Sequence, residues 1–202
     1  MNNEEHKEAC KKIQAEQREK VRSKNISRGV IVVNTGPGKG KSTAAFGTVM
    51  RAIGYGYKVG VVQFIKGKWP TGEQKIFKKF DEITHVVSGD GFTWNTQDCE
   101  KDIASARRGW EKVCEMIEAS RGENPAYKLI VLDELNIALA HDYLPVEEVV
   151  EVLKNKPEQL NIFVTGRGAK DELVEIADTV TEMTMVKHAF EGGIQAQKGI
   201  EF

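Results

Sequence analysis

The sequence has no long apolar run and no surplus of charge of either sign. No stretch of its 202 residues approaches the roughly 20 consecutive apolar residues that a membrane-spanning helix needs. We therefore do not expect this chain to be an integral membrane protein. The 29 Lys and Arg nearly balance the 30 Asp and Glu, which leaves a net charge of −1. A chain so balanced has no global attraction to nucleic acid or to anionic membranes, and we expect neither as a partner.

Cysteine is too scarce for a disulfide framework. The three cysteines, Cys10, Cys99 and Cys114, are odd in number, and no two of them form a CxxC pair. We therefore expect neither structural disulfides nor a structural zinc site, but free thiols in a reducing, cytoplasmic compartment. Residues 1–24 are charged throughout and lack the apolar core of a secretory signal.

The composition divides the chain after residue 28. Residues 1–28 hold eight basic and five acidic residues and few apolar ones. This composition favours a helix with little apolar face to bury, and we expect a solvated helix or a mobile arm. Such an arm would become ordered only when something docks beneath it. Residues 29–202 form the second predicted unit.

In residues 29–202, short apolar runs alternate with helical patterns. Strands are predicted at residues 29–34, 58–65, 83–87, 129–132, 161–165 and 179–185. Helices are predicted at residues 41–56, 73–80, 95–120, 146–154 and 170–177. The Val and Ile runs do not alternate with polar residues, which indicates strands buried on both faces. Strands separated by helices favour a parallel sheet with right-handed crossovers, and so an α/β fold of three layers.

The strongest chemical signal is a glycine-rich loop between the first of these strands and the helix after it, TGPGKGKST at residues 35–43. Glycines let backbone N–H groups converge on an anion, and the following helix adds its positive end. Lys41 would bring a charge to the phosphates and Ser42 a hydroxyl ligand for Mg²⁺. The loop departs from the G-x-x-x-x-G-K-[ST] pattern at Thr35, and a glycine-rich turn without a ligand is the alternative interpretation.

Two further apolar strands end in charged residues. Asp133 and Glu134 follow one of them, and Arg167 lies in TGRG at the end of another. Because ligands gather at the carboxyl ends of parallel strands, we expect these groups beside the glycine-rich loop. A carboxylate there can hold Mg²⁺, and Arg167 can bind a phosphate. The alternatives are a helix cap for Asp133 and a turn with a solvated arginine for Arg167.

These features predict a site for Mg²⁺ and a nucleotide but not a reaction, since kinases, ATPases and GTPases share them. The absence of an N-K-x-D motif disfavours a GTPase. The remaining feature is GDGFTWN at residues 89–95. Phe92 and Trp94 either cap the core where the long helix begins or wall off a flat apolar ligand and exclude water. Their spacing alone does not decide between these roles.

Long collinear blocks resemble the P-loop ATP:corrinoid adenosyltransferases of the CobA/CobO/BtuR type. The blocks are TGPGKGKST, AAFGT, KVGVVQFIKGKWPTGE, GFTWNTQ, LDEL, DYLPVEEVV, TGRG, EIADTV and VKHAF. The resemblance implies a RecA-like P-loop NTPase fold preceded by an N-terminal helical arm. It also implies a reaction in which the Co(I) of a corrinoid attacks the 5′ carbon of ATP and tripolyphosphate leaves. The nucleophile then belongs to the corrinoid, and the protein needs none of its own.

The resemblance assigns a role to each candidate residue. Nucleotide contacts are expected from Gly36, Gly38, Lys39, Gly40, Lys41, Ser42, Thr43 and Arg167. Ser42 and Glu134 would bind Mg²⁺, or Mn²⁺ in its place, with Asp133 in support. The nucleotide would lie reversed relative to ordinary P-loop enzymes. Phe92 and Trp94 would block the lower axial face of the corrinoid, giving a four-coordinate Co(II) that is easier to reduce. With Lys41 they are the predicted catalytic residues.

The resemblance also implies partners: a second copy of the chain in a homodimer, whose site the N-terminal arm closes, and a flavoprotein reductant. The pathway would be adenosylcobalamin biosynthesis or salvage, on a corrinoid that the sequence does not specify. Lys187 and His188 match a family block without an assigned chemistry. Two alternatives are a P-loop kinase or ATPase acting on another substrate and a non-enzymatic ATP sensor, neither of which needs the GFTW block.

Overall fold

A computed structural model describes residues 2–65, 71–89 and 99–201. Within these ranges six strands form one parallel sheet with the order β3-β2-β4-β5-β1-β6. The strands are β1 (Ile31–Thr35), β2 (Val59–Gln63), β3 (Ile83–Val87), β4 (Leu129–Asp133), β5 (Asn161–Thr165) and β6 (Thr179–Glu182). The parallel sheet is the one that the alternation of apolar runs and helical patterns predicts.

Of the helices in the described ranges, the first precedes the sheet and the others lie between its strands in the sequence. They are α1 (Asn3–Arg22), α2 (Lys41–Gly54), α3 (Gly72–Phe77), α4 (Cys99–Glu118), α5 (Leu135–Ala140), α6 (Val146–Lys154) and α7 (Asp171–Ile176). A short 3₁₀ helix spans Phe190–Gly192. The sequence pattern did not predict α5, because its six residues are too few to show a helical period and all but Asn136 are apolar. None of these helices, within the part of the chain that the structure describes, is long and apolar enough to cross a membrane.

Successive strand residues are buried in opposite layers. Val131 of β4 lies in the same buried cluster as Phe46 of α2, on one side of the sheet. Its neighbour Ile130 lies in the cluster of Trp110 of α4, on the other side. Side chains of a strand alternate between the two faces of a sheet, so each central strand contributes to both clusters. The predicted three-layer α/β fold is confirmed, and burial on both faces holds for the central strands β2, β4 and β5. The prediction is wrong for β3 and β6, which have no buried residue because they lie at the two edges of the sheet.

The first helix, α1, is specified by its own ends rather than by packing. The Asn2 side chain accepts hydrogen bonds from the N–H groups of Glu4 and Glu5, and the Glu5 carboxylate accepts one from the N–H of Asn2. This reciprocal cap stabilises a helix start locally. None of the described residues of α1 is buried. The helix therefore forms without resting on the sheet of its own chain.

Strand order places three sequence motifs at one edge of the sheet. Strand β5 lies between β1, which leads into the glycine-rich loop, and β4, which ends in Asp133. Asn34 of β1 is in register with Thr165 of β5, and Gln63 of β2 is in register with Asp133. The carboxyl ends of these strands therefore meet along one rim, as expected for ligand sites of parallel sheets.

Candidate active site

A cavity of about 1200 Å³ lies over this rim. Its wall brings together most of the predicted site residues: Gly38, Lys39, Gly40, Lys41, Ser42, Thr43, Glu134 and Arg167. Gly36 and Asp133 are described but are not part of the wall. Phe92 and Trp94 lie outside the described residues. Of the two residues without assigned chemistry, neither Lys187 nor His188 lines this cavity.

The glycines of the loop permit a backbone path that other residues would strain. Gly36 and Gly40 have φ angles of 92° and 105°, in the left-handed region that favours glycine. The N–H of Gly38 donates to the carbonyl oxygen of Met183 at 2.6 Å. A Cβ on Gly38 would lie 2.6 Å from the carbonyl oxygen of Thr184, so no side chain fits there. The loop therefore packs directly on the backbone that follows β6.

Lys41 occupies the centre of the loop. Its Nζ donates hydrogen bonds to the carbonyl oxygens of Gly36 and Gly38, the first at 2.9 Å. Lys41 is buried, although it also lines the cavity. Burial lowers the pKa of Lys41, and the nearby Arg167 adds to this effect, while the carboxylate of Glu134 opposes it. The arrangement holds a cation at the floor of the cavity, where a phosphate would meet it.

Thr35 and the C-terminal segment complete the loop in ways that its motif does not indicate. The Thr35 hydroxyl, at the position where the common pattern has glycine, accepts a hydrogen bond of 3.2 Å from the N–H of Ala169. This bond ties the glycine-rich loop to the turn that carries Arg167. Lys39 forms an ion pair with Glu201, which also lines the cavity. Sequence reasoning missed Glu201, because 162 residues separate it from Lys39 and no spacing pattern connects them.

The two consecutive carboxylates occupy different environments. Asp133 is fully buried, and its oxygens accept hydrogen bonds from Gln63 Nε2 at 2.9 Å and from Thr165 Oγ1 at 2.8 Å. Glu134 lines the cavity and has a φ of 64°, which is uncommon for a residue with a side chain. Thr165 Oγ1 also accepts the Glu134 N–H at 2.9 Å. Asp133 thus lies beneath Glu134 and, through Thr165, supports its strained backbone.

This support extends to the edge of the sheet. Gln63 is fully buried, and its Oε1 is 2.9 Å from His85 Nε2 and 3.4 Å from the Gln74 Nε2 that donates to it. These contacts orient the amide so that its nitrogen faces Asp133. Sequence reasoning missed this network, although a glutamine at the end of the apolar run VGVV was a usable signal, since buried polar groups need partners.

The oxygen donors on the wall fit Mg²⁺. The Ser42 hydroxyl and the Glu134 carboxylate line the same cavity, and hard oxygen ligands are those that Mg²⁺ prefers. Among the described residues, no group of three or more His, Cys, Asp or Glu could hold a metal ion by itself. A donor set this small suits a cation that takes its other ligands from phosphates and water.

The family model and three similar proteins that match this chain all belong to one protein family. The family model described as ATP:corrinoid adenosyltransferase BtuR/CobO/CobP matches residues 27–202. A corrinoid adenosyltransferase of Pseudomonas aeruginosa is 48% identical over 198 residues, which cover 98% of this chain and 95% of that protein. One of Escherichia coli K12 is 48% identical over 175 residues, or 87% and 86% of the two chains. The corrinoid adenosyltransferase CobA of Salmonella typhimurium is 42% identical over the full length of both.

Proposed function

Because the chain belongs to the BtuR/CobO/CobP family of ATP:corrinoid adenosyltransferases, we propose that ATP and a corrinoid react in the cavity over β1, β4 and β5. The enzyme is a transferase that moves the 5′-deoxyadenosyl group of ATP to the cobalt of a corrinoid, in cobalamin synthesis. The observation that carries the proposal is the convergence of Lys41, Glu134 and Arg167 on one cavity. Its volume, about 1200 Å³, is above the roughly 300–1,000 Å³ of common small-ligand pockets, which suits two substrates.

In the proposed reaction, a cobalt–carbon bond forms as the bond between the 5′ carbon and the triphosphate oxygen breaks. The electron pair of the Co(I) substrate makes the new bond, and the pair of the broken bond leaves with tripolyphosphate. The protein's task is to orient the 5′ carbon and to stabilise the leaving charge. Lys41, Arg167 and the N–H groups of the loop are the groups that would do so, with nucleotide contacts along residues 36–43.

We assign Ser42 and Glu134 as the protein ligands of Mg²⁺ or Mn²⁺, with Asp133 as the residue that positions Glu134. When bound, the cation neutralises part of the charge on the triphosphate. Glu134 lines the cavity, whereas Asp133 is fully buried and hydrogen-bonded to Gln63 and Thr165. The pair therefore divides into a ligand and a positioning residue.

Phe92 and Trp94 keep the role that the resemblance implies: to block the lower axial face of the corrinoid and so ease the reduction of Co(II), with a flavoprotein as the electron donor. The double variant Phe92→Ala/Trp94→Ala should lose far more activity when the assay starts from Co(II) than when Co(I) is supplied chemically. Equal losses from both starting states would contradict the axial role.

The N-terminal arm, residues 1–28, is proposed to close over the site of the partner subunit in a homodimer, with residues 29–202 as the catalytic unit in the cytoplasm. The exposure of α1 supports this assignment, because a capped helix with no buried residue has a whole surface left for a partner. Chain concentration should therefore affect activity, and sedimentation should give the mass of a dimer.

The test of the function is an anaerobic assay with Co(I)-cobalamin, ATP and Mg²⁺, in which the visible spectrum and the phosphate product are followed. A light-sensitive alkylcobalamin spectrum with stoichiometric tripolyphosphate is expected. Lys41→Ala should suppress both, and Lys112→Ala, an exposed lysine paired with Glu115 on α4, is the matched control that should not. Release of ADP would instead favour the kinase alternative, and ATP binding without turnover would favour the sensor.

A further inference from the structure

Arg167 lies in a turn that its own sequence leaves flexible. The glycines on either side of it, Gly166 and Gly168, have φ angles of 126° and 68°, in the region that glycine enters at little steric cost. Arg167 itself is exposed and lines the cavity. A long side chain on such a turn has much conformational freedom to lose when it binds a phosphate. Its use in a binding site therefore requires that other residues hold the turn.

Two side chains hold this turn, one at each end. At its end, the N–H of Ala169 donates to the Thr35 hydroxyl. At its start, the Nδ2 of Asn136 donates to the carbonyl oxygen of Gly166 at 2.9 Å. A Cβ added to Gly166 would lie 2.9 Å from the Cβ of Asn136, so the start of the turn packs directly on this residue. Arg167 follows the Gly166 carbonyl in the chain and is therefore attached to the point that Asn136 holds.

The amide of Asn136 is fully buried and bonds only through its nitrogen within the described part of the chain. The same Nδ2 is 3.4 Å from the carbonyl oxygen of Asn34, a longer and weaker contact than the bond to Gly166. The Oδ1 is buried, and no described residue gives it a hydrogen bond. A buried polar atom without a partner is unfavourable for folding. The group that the nitrogen holds is therefore the reason that the structure offers for an amide at this position.

Asn161 shows what a structural amide does in the same three strands. It begins β5, at the end of the sheet opposite the cavity. Its Nδ2 donates to the carbonyl oxygen of Lys128 at 3.0 Å, and its Oδ1 accepts from the N–H of Val30 at 3.1 Å. Both ends of this amide are satisfied, and it links the amino ends of β1, β4 and β5. Asn136 lies at the carboxyl ends of these strands and leaves its oxygen unpaired, so stability alone does not account for it.

We propose that Asn136 is a positioning residue, which holds the Gly166 carbonyl and so fixes the turn from which Arg167 meets the phosphates of the nucleotide and of the leaving tripolyphosphate. The inference rests on the proposed function, which assigns the phosphate contact to Arg167. Beside this bond, the N–H of Glu134 donates to Thr165 Oγ1, so two hydrogen bonds join the start of α5 to the end of β5. Groups that are fixed in advance stabilise a developing charge without a cost of reorganisation.

The experiment is a double-mutant cycle on the binding of inorganic tripolyphosphate to the full chain, without Mg²⁺ and without a corrinoid. Leaving out the cation removes any contribution that Glu134 makes through the metal. Arg167→Ala should weaken binding about tenfold, as expected when a hydrogen bond between charged groups is lost. Asn136→Leu keeps the branched shape of the side chain without the donor, and it should weaken binding about fivefold. In the Arg167→Ala background the same change should have an effect below about twofold, because the group through which Asn136 acts is already absent.

Asn161→Leu is the matched control, because it also removes an amide that links β1, β4 and β5. It should lower the free energy of unfolding in urea at least as much as Asn136→Leu does, since both of its hydrogen bonds are lost. Its affinity for tripolyphosphate should nevertheless stay within about twofold of the wild type. If Asn136 had only a structural role, affinity would follow stability, and both asparagine variants would lose it together.

A second measurement changes no buried residue and carries the test if Asn136→Leu does not fold. In proton–nitrogen correlation spectra, the side-chain NH₂ signals of Asn136 should shift when the wild type is saturated with tripolyphosphate. They should shift much less in saturated Arg167→Ala, in which an exposed side chain is removed. The NH₂ signals of Asn161, at the opposite end of the strands, should not move in either protein.

Three results would overturn the inference. The first is an unchanged affinity of Asn136→Leu for tripolyphosphate. The second is a loss of affinity of the same size with and without Arg167, and the third is an Asn136 signal that responds equally in the wild type and in Arg167→Ala. A failure of the proposed function is a different observation, namely wild-type protein that binds ATP and tripolyphosphate but transfers no adenosyl group. Wild-type protein that bound neither would overturn both.

Discussion

Replacing Thr165 by valine removes one hydroxyl that makes two hydrogen bonds beneath the cavity. The Thr165 Oγ1 donates to Asp133 at 2.8 Å and accepts from the N–H of Glu134 at 2.9 Å, and Thr165 is fully buried. Valine keeps the shape of the side chain, so packing changes little. Asp133 and the N–H of Glu134 each lose a hydrogen-bond partner. Because Thr165 is fully buried, water does not take the place of the hydroxyl.

The expected loss in the free energy of unfolding follows from these two bonds. A hydrogen bond to a charged group contributes about 1.5–3 kcal/mol, and an unsatisfied buried donor costs about 1–3 kcal/mol. Since the bonds share one atom and are not additive, we expect Thr165→Val to destabilise the fold by about 3–4 kcal/mol. Thr165→Ser keeps the hydroxyl and loses one methyl group, which is worth about 1 kcal/mol.

Urea unfolding at pH 7, followed by circular dichroism, measures the free energy of unfolding of the wild type, Thr165→Val and Thr165→Ser. Equilibrium binding of ATP with Mg²⁺ provides a second readout. Thr179→Val, an exposed threonine of β6, is the control and should change stability by less than about 0.5 kcal/mol. If Thr165→Val and Thr165→Ser differ by less than about 1 kcal/mol, the hydroxyl does not support Glu134, and the division of the acidic pair into ligand and positioning residue is wrong.

Three further changes test other parts of the site and fold. Lys41→Ala should weaken ATP binding by about 1.5–3 kcal/mol. Because burial lowers the pKa of Lys41, the wild type should lose ATP affinity at a lower pH than the pKa of an ordinary lysine would give, which a titration of binding against pH measures. Glu201→Gln should raise ATP affinity a few-fold in the same assay, by removing a negative charge that is paired with Lys39. Hydrogen bonds from Arg28 hold the pKa of Asp178 below its usual range, so the pair stabilises the fold at neutral pH and the contribution is lost as the pH falls through the lowered pKa. Asp178→Asn should therefore lower the Tm at pH 7, and the difference from the wild type should shrink in acid; a constant difference across pH would contradict the ion pair.

Local patterns of residues were enough to predict the sheet and the position of the glycine-rich loop between β1 and α2. The predicted strands at residues 83–87 and 161–165 and the predicted helix at 146–154 have the same bounds as β3, β5 and α6. Apolar runs, helical periodicity and glycine spacing are properties of short segments. The sheet forms because its central strands bury the faces that their own apolar patterns specify. Family membership likewise follows from blocks that are contiguous in the sequence.

Relations between distant segments could not be predicted in this way. Asp133 and Glu134 are neighbours and chemically alike, yet one is buried under Thr165 and the other lines the cavity, because β4 ends between them and the backbone turns into the left-handed region. The pairing of Lys39 with Glu201 and the cavity wall to which α2 and α3 both contribute depend on how separate elements pack together. Such contacts carry no sequence period; they arise only when packing of the layers has brought the ends of the strands to one rim.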